Sequence, residues 1–178
     1  MIKSTKTTIK YANTAKVQTL HLFVGAYKEL VQYFVDQIWD LDKVPSLLPK
    51  EITADVDTWL SARVIQCAGK QASGIVRGTR TKQAKRLAVI NKLNKQGRYK
   101  QARKLQRIYN NVKTTKPLLK NCSPELDSRF IKIDLDNETS FDGWVSLNSL
   151  GDLPKLKIPF KRTKHFNAML LKGSQQLS

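Results

Sequence analysis

The sequence predicts an α+β fold: a small β unit built from the two ends of the chain, with a basic helical bundle inserted between them. Three observations predict it. Apolar residues recur at steps of three and four from Val17 to Val112, but alternate near both termini. Turn-forming residues gather where the period changes, at Pro45 and Pro49, at Gly97, and at Pro117. Charge is segregated: residues 58–124 carry 17 Lys and Arg with no Asp or Glu, whereas residues 1–57 hold 7 basic and 7 acidic side chains and residues 125–178 hold 8 and 7.

Each element follows from local chemistry. Residues 2–11, rich in β-branched side chains and roughly alternating, predict a strand at the start of the chain. Asn13 or Thr14 caps the next element, where Val17, Leu20, Val24, Tyr27, Val31, Phe34 and Ile38 mark a long helix. Phe23, Leu30 and Val35 widen its stripe beyond a coiled-coil seam, so packing within a bundle is expected. Pro45 and Pro49 bracket a linker, and Ile52, Thr53 and Val56 open a second helix through Trp59 and Leu60 toward Lys70. Ser73, Gly74 and Gly78 are expected to interrupt or end it. Leu87, Ile90 and Leu93 predict a third helix, Gly97 a turn, and Tyr99, Ala102, Leu105, Ile108, Tyr109 and Val112 a fourth. From Arg129 the period becomes two: Phe130, Ile131 and Ile133, a polar turn over residues 136–139, then Phe141, Trp144, Val145 and Leu147 predict a β-hairpin. Lys155–Phe160 reads as a further strand that Pro159 confines to an edge or an end.

Composition narrows the function. A chain of 178 residues, 40% hydrophobic, forms one ordinary domain or two small ones. No apolar run approaches the roughly 20 residues that span a bilayer, and residues 1–10 lack the apolar core of a signal peptide, so a soluble intracellular protein with no membrane partner is expected. Cys67 and Cys122 have no CxxC spacing, which indicates neither a zinc site nor a disulfide framework. The carboxylates are scattered through helix ends and turns, there is no Walker-type loop, and only His21 and His165 are present as bases. No catalytic residues, metal or cofactor are therefore expected.

The basic segment implies a polyanionic partner, because like charges crowded without acids raise the free energy of the compact state. Arg77, Arg80, Lys82, Lys85 and Arg86 form one cluster, and Arg98, Lys100, Arg103, Lys104 and Arg107 a second. Tyr99 and Tyr109 lie among the basic residues and could stack on bases, though their helical spacing also suits a core, with Tyr99 kept as the candidate contact; Trp59 and Trp144 read as core. Lys161, Arg162 and Lys164 follow a strand and suit backbone contacts.

This order of elements resembles the N-terminal half of TnpB-like RNA-guided nucleases of transposons and their type V CRISPR relatives. Leu126–Ile133, Phe141–Leu147, Leu156–Lys161 and Lys164–Asn167 carry the resemblance as strand patterns, and it covers most of the chain. It implies an oligonucleotide-binding-type β barrel, the wedge domain, made from residues 1–13 and 121–178, with residues 14–120 as a recognition-type helical domain. It further implies guide RNA as partner, with target DNA, a nuclease-bearing chain or a second copy as further candidates, in the cytoplasm of a bacterium or its phage. The family's nuclease domain would begin after about Ser178, so either a fragment or a stand-alone binding protein is expected, which binds without cutting. Two readings stand beside it: a helix-turn-helix DNA-binding regulator or transposase arm with the Arg77–Leu93 region in a groove, and a structural RNA-binding protein.

Overall fold

The computed structural model describes residues 8–54, 56–112, 115–135 and 138–168. It contains α1 (Thr14–Ile38), α2 (Lys50–Thr53), α3 (Ala62–Lys95), α4 (Tyr99–Val112), a 3-10 turn (Ser128–Phe130), and strands β1 (Ile131–Leu135), β2 (Gly143–Leu147) and β3 (Leu156–Phe160). Residues 164–168 are also helical. The chain divides into two compact units, the first comprising Met1–Gly25, Trp59–Ser61 and Leu126–Ser178, the second Ala26–Thr58 and Ala62–Glu125.

The second unit is helical. It takes the second half of α1, which starts in the first unit where Asn13 Oδ1 accepts the Lys16 N–H at 2.9 Å. The apolar steps then bury Tyr27, Val31, Phe34 and Ile38 completely. On α3, Val64, Ala68, Ala72 and Val76 are equally buried. The break expected at Ser73, Gly74 and Gly78 is absent, and α3 runs unbroken for 34 residues. Each helix-interior glycine costs about 1 kcal/mol relative to alanine, while burying the two valines alone returns at least about 3 kcal/mol. Nor does a helix pass through Trp59 and Leu60. α2 has only 4 residues, and Leu60 instead bridges Gly151 while its side chain is buried.

Gly97, at φ 70°, ends α3. The Gly97 N–H reaches the Asn94 carbonyl at 3.1 Å and the Arg98 N–H the Leu93 carbonyl at 2.9 Å, the paired bonds of a left-handed C-cap. The chain reverses into α4, whose Ala102 packs with Ile90 and Leu93, flanked by Leu105 and Tyr109. Gln83 Nε2 donates to the Val112 carbonyl at 2.8 Å, so α3 and α4 form an antiparallel hairpin. Residues 115–125 return as an irregular strap held by two glutamines. Gln32 accepts the Leu119 N–H at 3.0 Å, and buried Gln71 donates to the Ser123 carbonyl at 2.9 Å and accepts the Glu125 N–H at 3.3 Å.

The first unit carries the sheet, in the order β1-β2-β3, antiparallel throughout. Leu156, Ile158 and Phe160 of β3 are buried, as are Phe23, Phe130 and Leu150. Gly143 has no room for a side chain, because a Cβ there would lie 2.6 Å from the Asp134 carbonyl oxygen. The hairpin and the edge strand containing Pro159 match the alternating pattern. The barrel does not: among the described residues the sheet is open, three strands wide, with β1 and β3 as its edges. The strand expected over residues 2–11 falls partly on residues 1–7, outside the described residues. Residues 8–13 form a turn in which the Ala12 N–H reaches the Ile9 carbonyl at 2.9 Å, because Asn13 must already cap α1.

Candidate nucleic-acid interface

An α-helix turns 100° per residue, so positions seven apart share a face. Lys70 and Arg77 lie on the face of α3 opposite Ala68, Ala72 and Val76, and Lys85, Lys92 and Lys95 continue the same stripe. All five are exposed, and the residues between them on that face, Gly74, Thr81 and Ala88, are small. At 1.5 Å per residue the stripe from Lys70 to Lys95 extends over about 38 Å of the 34-residue helix. An open groove of about 520 Å³ runs beside its first half, lined by Lys70, Gly74, Arg77, Gly78 and Lys82, with Glu125 in its wall.

α4 adds a second row. Lys100, Arg103, Lys104 and Arg107 are exposed, and Arg98 stands exposed in the turn. Tyr99 is 59% exposed, so its ring is available for stacking, whereas Tyr109 is half-buried against the hairpin core. Lys82 and Lys85 are exposed and Arg86 is half-buried on α3. The ion pairs seen among the described residues involve Lys116, Arg129 and Lys132. No described ion pair involves the two rows, and Glu125 in the groove wall is the acid that lines it beside Lys70, Arg77 and Lys82.

Arg80 is different. Its guanidinium donates to the carbonyls of Trp39 and Leu41, both at 2.6 Å, and of Asp42 at 3.0 Å. Those carbonyls close the C-terminal end of α1, where the helix dipole attracts a cation. Arg80 is thus a clamp within the helical unit, not a free phosphate ligand.

Lys161, Arg162 and Lys164 sit at the end of β3 in the β unit. Lys161 and Lys164 are exposed and Arg162 is half-buried. Asp142 fixes this loop by accepting the Arg162 N–H at 2.7 Å, and the Phe166 ring meets that of Phe160 at a 59° tilt with centroids 5.5 Å apart.

Few groups here have perturbed acidity. Burial pushes the Tyr27 hydroxyl well up, opposed by its hydrogen bond to the Glu125 carbonyl. Burial also pushes the Cys122 thiol up, with Glu125 adding to the effect. The Lys132 ammonium, 2.8 Å from Asp134, holds that carboxyl below its usual range. Among the described residues no three His, Cys, Asp or Glu come together in a way that could hold a metal ion. No described helix is long and apolar enough to cross a membrane.

Residue type alone did not select Lys70, Lys92 and Lys95. Their seven-residue and three-residue spacing from Arg77, Lys85 and Lys92 was the available signal, but it counts only once α3 is known to be continuous. No protein-family model matches this chain, and neither a curated protein nor a solved structure does.

Proposed function

We propose that this chain is a nucleic-acid-binding module in which the α3–α4 hairpin holds the phosphate backbone of a structured RNA. The carrying observation is the hairpin's charge: residues 62–112 contain 14 Lys and Arg and no acid, and 11 of these are exposed without a described ion-pair partner. Those residues are Lys70, Arg77, Lys82, Lys85, Lys92, Lys95, Arg98, Lys100, Arg103, Lys104 and Arg107. Each helix turns its buried residues, Ile90 and Leu93 on α3 and Ala102 on α4, toward the other and its cations outward, so both outer faces of the hairpin offer phosphate contacts. The unbroken α3 lacks the corner that a helix-turn-helix reading places before Arg77, which favours RNA shape recognition over that geometry.

Within this reading the module is the RNA-holding half of an RNA-guided nuclease of the TnpB type, binding guide RNA scaffold and guide–target duplex and leaving cleavage to another domain or chain. The β unit is then part of an oligonucleotide-binding-type wedge barrel. What favours its closure by a further strand is β1, an open edge whose Ile131, Ile133 and Leu135 are exposed.

The test is to purify the chain, sequence the nucleic acid that accompanies it at moderate salt, and measure affinity for that RNA against salt. Replacing Arg98, Arg103 and Arg107 together by Glu should flatten the log–log salt slope by roughly 2–3, near 0.9 per lost phosphate contact. A folded triple variant with unchanged affinity and slope would remove α4 from the interface.

A further inference from the structure

A second site lies in the β unit, built from aromatic side chains. Trp144 and Ser146 of β2 share a sheet face with Lys157 and Pro159 of β3, since Trp144 pairs with Pro159 and Ser146 with Lys157. The Phe141 ring meets Trp144 edge-on at 5.6 Å, and Tyr11 meets Phe141 at 5.6 Å, so three half-buried rings stand in a row. Lysines surround it. Lys157 Nζ lies 5.0 Å from the Trp144 ring centroid, Lys16 Nζ 5.9 Å from the same ring, and Lys10 Nζ 4.9 Å from that of Tyr11.

The same sheet face is packed in part, with Ser146 and Pro159 buried, while the three rings remain partly exposed beside it. Cation–π pairs at exposed positions are each worth only about 0.5–1 kcal/mol, and a core would have buried the rings and excluded the ammonium groups. The acids near the row are engaged: Asp134 is paired with Lys132 at 2.8 Å, and Asp142 accepts the Arg162 N–H at 2.7 Å. No described ion pair involves Lys10, Lys16 or Lys157, although the Lys157 charge lies close enough to Asp134 to help hold that carboxyl down. A row of π faces beside ammonium groups on flexible stems matches one ligand chemistry, an unpaired nucleobase with its flanking phosphates.

We propose that Tyr11, Phe141 and Trp144, with Lys10, Lys16 and Lys157, form a binding platform for single-stranded nucleic acid, separate from the α3–α4 hairpin. A base takes the ring face, and the lysine heads swing from the rings to the adjacent phosphates. The platform stands on its own geometry and does not depend on what the hairpin binds.

The experiment uses the whole chain and two fluorescein-labelled probes, a short oligouridylate and a duplex RNA, read by anisotropy. Lys10→Glu, Lys16→Glu and Lys157→Glu combined should weaken oligouridylate binding about tenfold or more, while duplex affinity changes by less than about twofold. Trp144→Leu should do the same, and Trp144→Phe should retain most of the affinity. The hairpin variant Arg98→Glu, Arg103→Glu, Arg107→Glu should show the reverse pattern. The platform is overturned if the folded lysine variant binds oligouridylate like the wild type, or if the hairpin variant alone abolishes that binding. Should Trp144→Leu fail to fold, the lysine variant decides, since all three sites tolerate Glu sterically and Lys16 lies in the first turn of α1, where an acid favours the helix. Loss of duplex binding by the wild type would sink the hairpin reading without touching this one.

Discussion

Replacing Arg80 by Met separates the residues that hold the helical unit together from those that face a ligand. Met keeps the aliphatic stem and deletes the guanidinium, so three carbonyls lose their donor. The bond to the Trp39 carbonyl at 2.6 Å is partly buried, while those to Leu41 at 2.6 Å and Asp42 at 3.0 Å are exposed. A hydrogen bond from a charged donor to a partly buried acceptor contributes about 1.5–3 kcal/mol. The two exposed acceptors regain water and add a few tenths each, which sets the loss at about 2–3 kcal/mol. For a chain of this size 1 kcal/mol moves Tm by about 2–4 °C, so thermal unfolding followed by circular dichroism should drop by about 4–12 °C. RNA affinity, measured well below that transition, should stay within about twofold of wild type, whereas Arg103→Met should weaken binding and leave Tm unchanged. If Arg80→Met weakens RNA binding as Arg103→Met does and leaves Tm where it was, then the clamp assignment is wrong and Arg80 belongs to the interface.

Other perturbations probe the same architecture. Gly74→Ala and Gly78→Ala add methyl groups where nothing lies within 4 Å, so each should stabilise α3 by about 0.5–1 kcal/mol in chemical denaturation; a loss of stability would mean that α3 is not a continuous helix there. Gly69→Ala should stabilise less than either by the same assay, because its Cβ would approach Leu48 Cδ1 to 2.8 Å and that side chain must shift. Cys122, whose thiol is pushed up by burial and by Glu125, should be alkylated by iodoacetamide more slowly at mild alkaline pH than a free cysteine, and Glu125→Gln should speed the reaction; equal rates in both chains would refute that cause.

How much of this was legible in the sequence depended on how far each residue's partner lay along the chain. α1 was readable because its seven apolar positions step regularly, and they are the ones that turn inward from Tyr27 onward. α4 and the β1–β2 hairpin were readable for the same local reason. The continuity of α3 was not, since Gly74 and Gly78 are the nearest signals and the buried face that overrides them, Val64 to Val76, gains its value only from tertiary packing. The clamp formed by Arg80 was hidden because its carbonyl acceptors lie about forty residues upstream and a carbonyl leaves no mark in a sequence. Gln32 and Gln71 looked like ordinary polar helix positions, yet they satisfy the backbone of the returning strap 52 and 87 residues away. By residue type alone Trp144 reads as a core anchor. Its ring is instead half-buried under Lys16 and Lys157, a placement fixed by strand register and by the first turn of α1.

The segregation of charge has a thermodynamic consequence that connects fold to function. α4 has 14 residues, near the length at which an isolated helix is marginal in water, so it depends on its small contact with α3 through Ala102, Leu105 and Tyr109. That contact works against the mutual repulsion of the basic side chains on both helices. A polyanion that neutralises the basic side chains of the hairpin reduces the repulsion and binds only the folded hairpin, so its binding energy adds directly to stability. At a hundredfold excess over Kd the addition is about 2.7 kcal/mol. Amide protons of residues 99–112 should therefore exchange up to about a hundredfold more slowly in the presence of RNA than in its absence, with the gain shrinking as salt is raised. Protection in α1, whose buried face is held by Tyr27, Val31, Phe34 and Ile38, should change less. Equal protection of α1 and α4 on RNA binding would place the ligand elsewhere, because only a polyanion on the hairpin relieves the charge that destabilises α4.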